Sequence, residues 1–167
     1  ETLHVNWMRQ DYGHDPSGGW RGMKRDAWEG GHRVPFIVRW PGVFQAGLKS
    51  NQMINTTDIF ATVASIVDFK LKDTNARDSY DMLPAMIGTQ DAKRSIRPYL
   101  LTQNFRGEFQ IREGNWKYIN HKGSGGNNYE EDFLKTYALP ETAPDAQGQL
   151  YNLLDDPGET TNLYFKE

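Results

Sequence analysis

The apolar positions change character twice along the chain. Residues 34–40 form a nearly unbroken apolar and aromatic run, VPFIVRW, closed by Pro41 and Gly42, and such a run predicts a short buried strand. Ile59, Phe60, Val63, Ile66 and Val67 then recur at i, i+1, i+4, i+7 and i+8, a stripe that predicts a helix packed on a sheet. Thr57 stands where that helix would be capped, and Asp58 falls in its first turn. A shorter helix is predicted over 80–87, with Pro84 tolerated only near its start. Beyond the polar linker 89–95 the pattern becomes that of strands. Residues 99–102, 108–112, 116–120 and 149–153 predict four of them, the second and third joined by a turn at Glu113-Gly114-Asn115.

Between these elements the pattern predicts connections. Residues 1–19 have little periodicity and end in the turn-prone run DPSGG, so they read as an irregular loop. The segment 43–51 is a polar connection turning at Gly47, and 69–79 is charged. Residues 123–128, GSGGNN, read as a flexible tip, 130–137 as a short surface helix and 139–146 as irregular.

Composition narrows the class. The chain has 167 residues, enough for one ordinary domain with a core, and 37% hydrophobic and 25% charged residues place it among soluble globular proteins. Its apolar runs are too short to cross a bilayer, and residues 1–10 lack the basic start and apolar centre of a leader. A formal net charge of -3, with no Lys/Arg cluster longer than a pair, supplies no electrostatic case for nucleic acid. The absence of cysteine excludes disulfides and thiolate metal sites within these residues. No phosphate-cradling G-x-x-x-x-G-K-[ST] and no internal repeat is present. Asn55-Thr56-Thr57 fits a glycosylation sequon.

The stretch WRGMKRDAWEGGHRVPFIVRWPG, residues 20–42, concentrates the candidate chemistry. Lys24, Trp28, Glu29, Gly30, Gly31, Arg33, Pro35, Trp40, Pro41 and Gly42 together resemble the second signature region of the sulfatase family, K-x-x-x-[WY]-E-G-G-x-R-x-P followed by W-P-G. Four later segments resemble the same family in order: Asp58-Ile59-Phe60 in the helix, Asp78-Ser79 through Leu83-Pro84 to Gly88, the hairpin Ile111-Arg112-x-Gly114-x-Trp116-Lys117-Tyr118, and the closing Leu150-Tyr151-Asn152-Leu153 with Asp156-Pro157, Glu159 and Asn162-Leu163. The resemblance implies the C-terminal part of an α/β domain of the alkaline-phosphatase-like superfamily, over 1–92. It implies further a small four-stranded antiparallel sheet subdomain with a terminal helix, over 93–167.

The same resemblance implies that Lys24 is catalytic and binds the sulfate ester, a role that suits an ammonium facing a tetrahedral anion. His14, Trp20 and Arg21, in or beside the preceding loop, are candidate substrate contacts; the bland reading is that loop His and Asp side chains such as His14 and Asp15 cap turns. No C/S-x-P-x-R motif, source of the family's formylglycine nucleophile, occurs here. The family's calcium or magnesium ion is implied for an intact enzyme, but Asp11-Tyr12-Gly13 only superficially mimics its Asp-Asn-Gly motif, and no metal ligand is assigned. His32 is expected as packed structure, Glu29 and Arg33 as a structural ion pair, and Asp156 and Glu159 as caps at the start of the terminal helix. Arg106, Arg112, Trp116, Lys117 and Tyr118 could form a sugar-binding face, though strands that merely alternate faces need the same residues. The expectation is therefore part of a sulfatase acting on a sulfate ester, as of a sulfated polysaccharide, completed by an N-terminal part of the catalytic domain, without nucleic acid or membrane partners, and secreted or periplasmic by resemblance. Two alternatives stand beside it: a noncatalytic module binding an anionic sugar, and a phosphoester or phosphonate hydrolase. A chain cut from its N-terminal part should expose the apolar face of 34–40.

Overall fold

The computed structural model describes residues 2–166, the side chains of residues 2–4 and 6 excepted. Two compact units emerge, one made of the chain up to Val34 together with everything from Leu101 onward, the other of Pro35–Leu100. They cut across the expected boundary at residue 92, because residues 20–34 are tied to strands that lie far along the sequence.

The first unit is built on a sheet of order β1-β2-β3-β4, with β1 Leu100–Gln103 starting at its edge, β2 Phe109–Glu113, β3 Trp116–Ile119 and β4 Gln149–Asn152. Each predicted strand is present to within one residue at either end. Gly114 and Asn115 form the two-residue turn of the β2–β3 hairpin, which pairs Arg112 with Lys117, and β3 pairs antiparallel with β4, setting Lys117 against Tyr151. The face turned inward carries Gln110, Lys117, Ile119, Gln149 and Tyr151, whereas Phe109, Ile111 and Trp116 point outward and are exposed. Ala27, Trp28, Ile119, Tyr151 and Leu153 make the apolar core, with Tyr129 edge-on to Trp28 at 5.5 Å between ring centres. An edge-to-face pair of that kind is worth about 0.5–1.5 kcal/mol beyond its buried area.

Four expectations for this unit are corrected. Residues 1–19 are not all loop: α1 spans Thr2–Tyr12 and ends at Gly13, whose N–H donates to the Arg9 carbonyl at 3.1 Å. The terminal helix is absent among the described residues; after β4 the chain runs in turns, and Glu159 takes a positive φ of 51° that a helix start would not. Over 130–137 only a single 3-10 turn forms, at Lys135–Tyr137. The tip 123–128 is docked, with Ser124 and Gly125 buried and the Ser124 carbonyl accepting the Ala27 N–H at 2.7 Å.

The second unit contains α3, Asp58–Ile66, and the one-turn α4, Leu83–Met86, with Pro84 in its first turn. Here the helix is where the stripe predicts it, but the stripe faces the other way. Asp58, Ala61, Thr62 and Ala64 are buried, and Ile59, Phe60, Val63 and Ile66 are exposed. The small polar face is the one with partners: the N–H groups of Tyr80 and Met82 donate to Asp58 and Thr62, and the N–H of Ala61 donates to the Ser79 hydroxyl. Thr57 makes no side-chain cap. Asp58 instead reaches back to the Asn55 N–H at 2.7 Å, as the acidic member of a capping box does, and forms an ion pair at 2.7 Å with Arg97, both side chains wholly buried. The predicted strand 34–40 is neither paired nor buried among the described residues; Val34, Phe36, Ile37, Val38 and Trp40 are all exposed. A cavity of about 390 Å³ lies in the first unit and one of about 520 Å³ in the second, the latter lined by Phe36, Val38, Leu48, Met82 and Met86. No helix among the described residues is long and apolar enough to cross a membrane.

Candidate functional site

The residues Met23-Lys24-Arg25-Asp26 form a tight turn, closed by the Asp26 N–H on the Met23 carbonyl at 3.0 Å. Arg25, its third residue, has φ 90°, the sign a type II turn requires at that place and glycine normally supplies. Asp26 is fully buried, and its carboxylate accepts hydrogen bonds from the Met23 N–H (2.9 Å), the Asn127 N–H (3.0 Å), the Asn127 side-chain amide (2.9 Å) and the Tyr129 hydroxyl (2.6 Å). Burial and the neighbouring Asp26 charge together push the Tyr129 hydroxyl far up, so it stays a donor. Lys24 rides on the crest of this turn and is exposed, its carbonyl accepting the Asn127 side-chain amide at 2.9 Å.

Immediately beyond, α2 is a single helical turn, Glu29–His32. Its glycines serve close approach: a Cβ on Gly30 would lie 2.4 Å from the Gly22 carbonyl oxygen, and one on Gly31 about 2.2 Å from that of Asp26. Glu29 is 5% exposed and gathers three cations, Arg33 at 2.7 Å, Lys117 at 3.0 Å and Arg112 at 3.1 Å. The expected Glu29–Arg33 ion pair is therefore present, at i and i+4 across the helical turn. Burial alone would raise the Glu29 carboxyl, but Lys117 and the two arginines outweigh it and hold it below the ordinary value.

Glu159, wholly buried, shares Lys117 at 3.0 Å, without hydrogen-bond geometry on that oxygen, and accepts the Glu29 N–H at 2.7 Å with its other one. Burial dominates there, and the Glu159 carboxyl is pushed up. His32 is packed, as expected, its Nε2 accepting the Gln110 side-chain amide. Burial, with the nearby Lys117 charge, depresses it to about 4, so it is neutral at pH 7.

The sequence-predicted residues are distributed over this frame. Arg21 stacks on Trp28 at 3.8 Å and donates to the Tyr151 hydroxyl and the Glu159 carbonyl; it also lines the 390 Å³ cavity, together with Tyr129, Gln149 and Asn162. Trp20, half-buried, carries the Arg33 guanidinium at 3.7 Å. His14 is exposed, its N–H on the Met8 carbonyl. Neither described cavity is lined by Lys24, His14 or Trp20. Asp15 is a turn brace paired with Arg9; burial would raise it, but the Arg9 bond and the N–H groups of Ser17 and Gly19 hold it low. The Trp116 to Tyr118 face divides as alternation demands, with Trp116 outward and Lys117 inward. Among the described residues no three His, Asp or Glu side chains converge on a cation-sized site, so these residues do not fit a calcium or magnesium centre.

Sequence reasoning missed Asp26, Asn127 and Glu159. The one local signal for Glu159 is its place in the closing motif, where Asp-Pro-Gly-Glu spacing predicts a helix-start charge rather than a buried carboxylate. Asp26 and Asn127 stand 101 positions apart, and no local pattern pairs them.

Comparison with known proteins adds an independent line. A family model described as Sulfatase matches residues 12–69. An N-acetylgalactosamine-6-O-sulfatase of Bacteroides thetaiotaomicron is 34% identical over 151 residues, 90% of this chain and 27% of that protein. Human arylsulfatase D is 28% identical over 89% of this chain and 24% of its own length. A solved structure, described for the metabolism of multiple glycosaminoglycans by Bacteroides thetaiotaomicron, superposes with a TM-score of 0.72 at 31% identity, covering 93% of this chain and 30% of that one. The chain thus spans 24–30% of the length of each of these three proteins.

Proposed function

The chain belongs to the sulfatase family, and from that premise we propose that it is the C-terminal part of an enzyme that hydrolyses a sulfate ester, with Lys24 holding the sulfo group. The observation that carries the proposal is the Met23–Asp26 turn: a buried carboxylate with four bonded donors supports an exposed lysine at the signature position. An ammonium carried on a turn braced in this way can offset charge on the non-bridging oxygens as the ester bond breaks. The divalent cation implied for the whole enzyme has no fitting ligand set among the described residues, so in this proposal its ligands and the nucleophile belong to polypeptide outside them.

A sulfated carbohydrate is the proposed substrate, since the relatives named above include an N-acetylgalactosamine-6-O-sulfatase and a protein described for glycosaminoglycan metabolism. His14, Trp20 and Arg21 contact its sugar portion in this proposal. Trp20 offers a partly open ring and Arg21 a guanidinium at a cavity wall. In this proposal residues 1–92 derive from the catalytic α/β domain and 93–167 from its C-terminal subdomain, although the segment up to Val34 packs in one unit with the latter's sheet, and a secreted or periplasmic setting goes with the reading. The test joins this chain to the upstream polypeptide of its parent. Lys24→Ala should lower kcat/KM on a sulfated sugar by about 10²–10³, the usual effect of removing one charge-stabilising donor, while Trp20→Ala should raise KM. Full activity in Lys24→Ala, or preference for the phosphate ester over the sulfate ester, would overturn it.

A further inference from the structure

We propose that the loop carrying Asn127 is a positioning clamp for Lys24, holding the Met23–Asp26 turn in a conformation it would not keep alone. The inference rests on the assignment of Lys24 above and adds residues that the signature does not contain. Arg25 at φ 90° lies in backbone space that side chains other than glycine rarely occupy, and such strain persists only where surroundings over-determine it. The surroundings do so from two sides. Asn127 bonds the Lys24 carbonyl and Asp26 with one side-chain amide, and Asp26 again with its own N–H. The Arg25 carbonyl accepts the Phe105 N–H at 3.0 Å, and the Arg25 guanidinium lies 4.6 Å from the Phe105 ring centre.

Gly126 completes the contact. A Cβ there would lie 2.3 Å from the Arg25 carbonyl oxygen, so the loop backbone lies directly against the strained residue. Gly125 is seated equally tightly, since its Cβ would meet the Asn104 amide at 1.8 Å, and Asn104 is itself bonded to His121 and Glu108. The turn is thereby fastened to the β3–β4 connection more than 100 positions away. Asn127 is a positioning residue: it touches the backbone of Lys24, and through that backbone sets where the ammonium stands.

Two measurements test the clamp. In this chain, amide hydrogen exchange should speed up by at least about tenfold at Met23 and Asp26 in Asn127→Ala, which removes two side-chain hydrogen bonds, while Ile119 and Tyr151 keep their protection. Unchanged exchange at the turn overturns the proposal; equal acceleration everywhere does so as well, since it marks general destabilisation. In the enzyme joined to its upstream part, Asn127→Ala should lower kcat/KM, and that loss should largely vanish in a Lys24→Ala background, because both changes remove one effect. Arg25→Gly, which relieves the strain, should restore part of the activity of Asn127→Ala. Independent, additive losses overturn the clamp while leaving Lys24 in its role; no loss from Lys24→Ala overturns that role, and the exchange measurement then still decides the clamp.

Discussion

The inner face of the sheet and the outer face of α3 are opposites. Gln110, Lys117 and Gln149 are polar and buried, and they are tied to His32, to Glu29 and to Trp28 and Tyr151 respectively. Ile59, Phe60, Val63 and Ile66 are apolar and exposed. Burying polar groups costs free energy unless they are bonded, so the sheet's inner face is matched to a partner already within the unit, the segment from Trp20 to Arg33. Contiguous exposed apolar surface marks the reverse condition, a face shaped for cover. One region has its partner within the unit; the other leaves its apolar side chains exposed.

The largest effect that would sharpen this contrast is expected inside the second unit. Arg97→Met leaves the Asp58 carboxylate buried without its cation and should cost about 3–5 kcal/mol. Residue-resolved melting should show α3 losing order while the β2–β3 hairpin survives. Simultaneous loss of both would show that the units do not unfold separately.

Acid should act on the first unit next. His32 is depressed in the fold from 6.5 to about 4, so between those values the unfolded chain binds the extra proton and stability falls as pH falls. With allowance for solvent screening, the His32 contribution is roughly 2 kcal/mol. Glu29, held low, adds a loss that begins below about pH 4.5. Glu159, held high, works the other way and partly offsets it, since its protonation favours the fold at low pH. Denaturant midpoints should therefore drop from pH 7 to pH 4.5, and His32→Gln should flatten the slope. An unaltered slope in that variant would place the acid sensitivity elsewhere.

Tyr129→Phe removes one of the four donors on Asp26 and should cost about 1–3 kcal/mol, as expected when a buried charged acceptor loses a partner. Chemical denaturation measures it, and a neutral result would mean that the Asp26 cluster is redundant. The smallest effect belongs to α3. Phe60→Glu should change stability by less than about 0.5 kcal/mol, because the ring is 57% exposed, yet it should reduce self-association and dye binding of the isolated chain. A stability loss of several kcal/mol would show that this face is already covered.

Some of this architecture is plain in the sequence, for local reasons. The four strands are bounded by their alternation and by Gly114-Asn115, and α3 by its repeat, because periodicity and turn chemistry act over a few residues. The signature around Lys24 is equally local. Helix α1 escaped because its apolar positions form no clear stripe, leaving only the lack of Gly and Pro before Gly13 as a signal. Glu159 was misplaced because Asp-Pro-Gly-Glu resembles a helix start, whereas Arg21, Glu29 and Lys117 pull it into the core.

The sequence by itself determined which residues share a face, where the strands turn, and to which family the chain belongs. Tertiary structure alone decided which face is inside. A period of two or of 3.6 groups residues without naming their neighbours, and here the neighbours are remote: Lys117 meets Glu29 across 88 positions and Glu159 meets it across 130. Hydrophobicity would have turned Trp116 and Phe60 inward. The buried cluster of Glu29, Lys117 and Glu159 in one unit, and the buried Asp58–Arg97 ion pair in the other, turned them out.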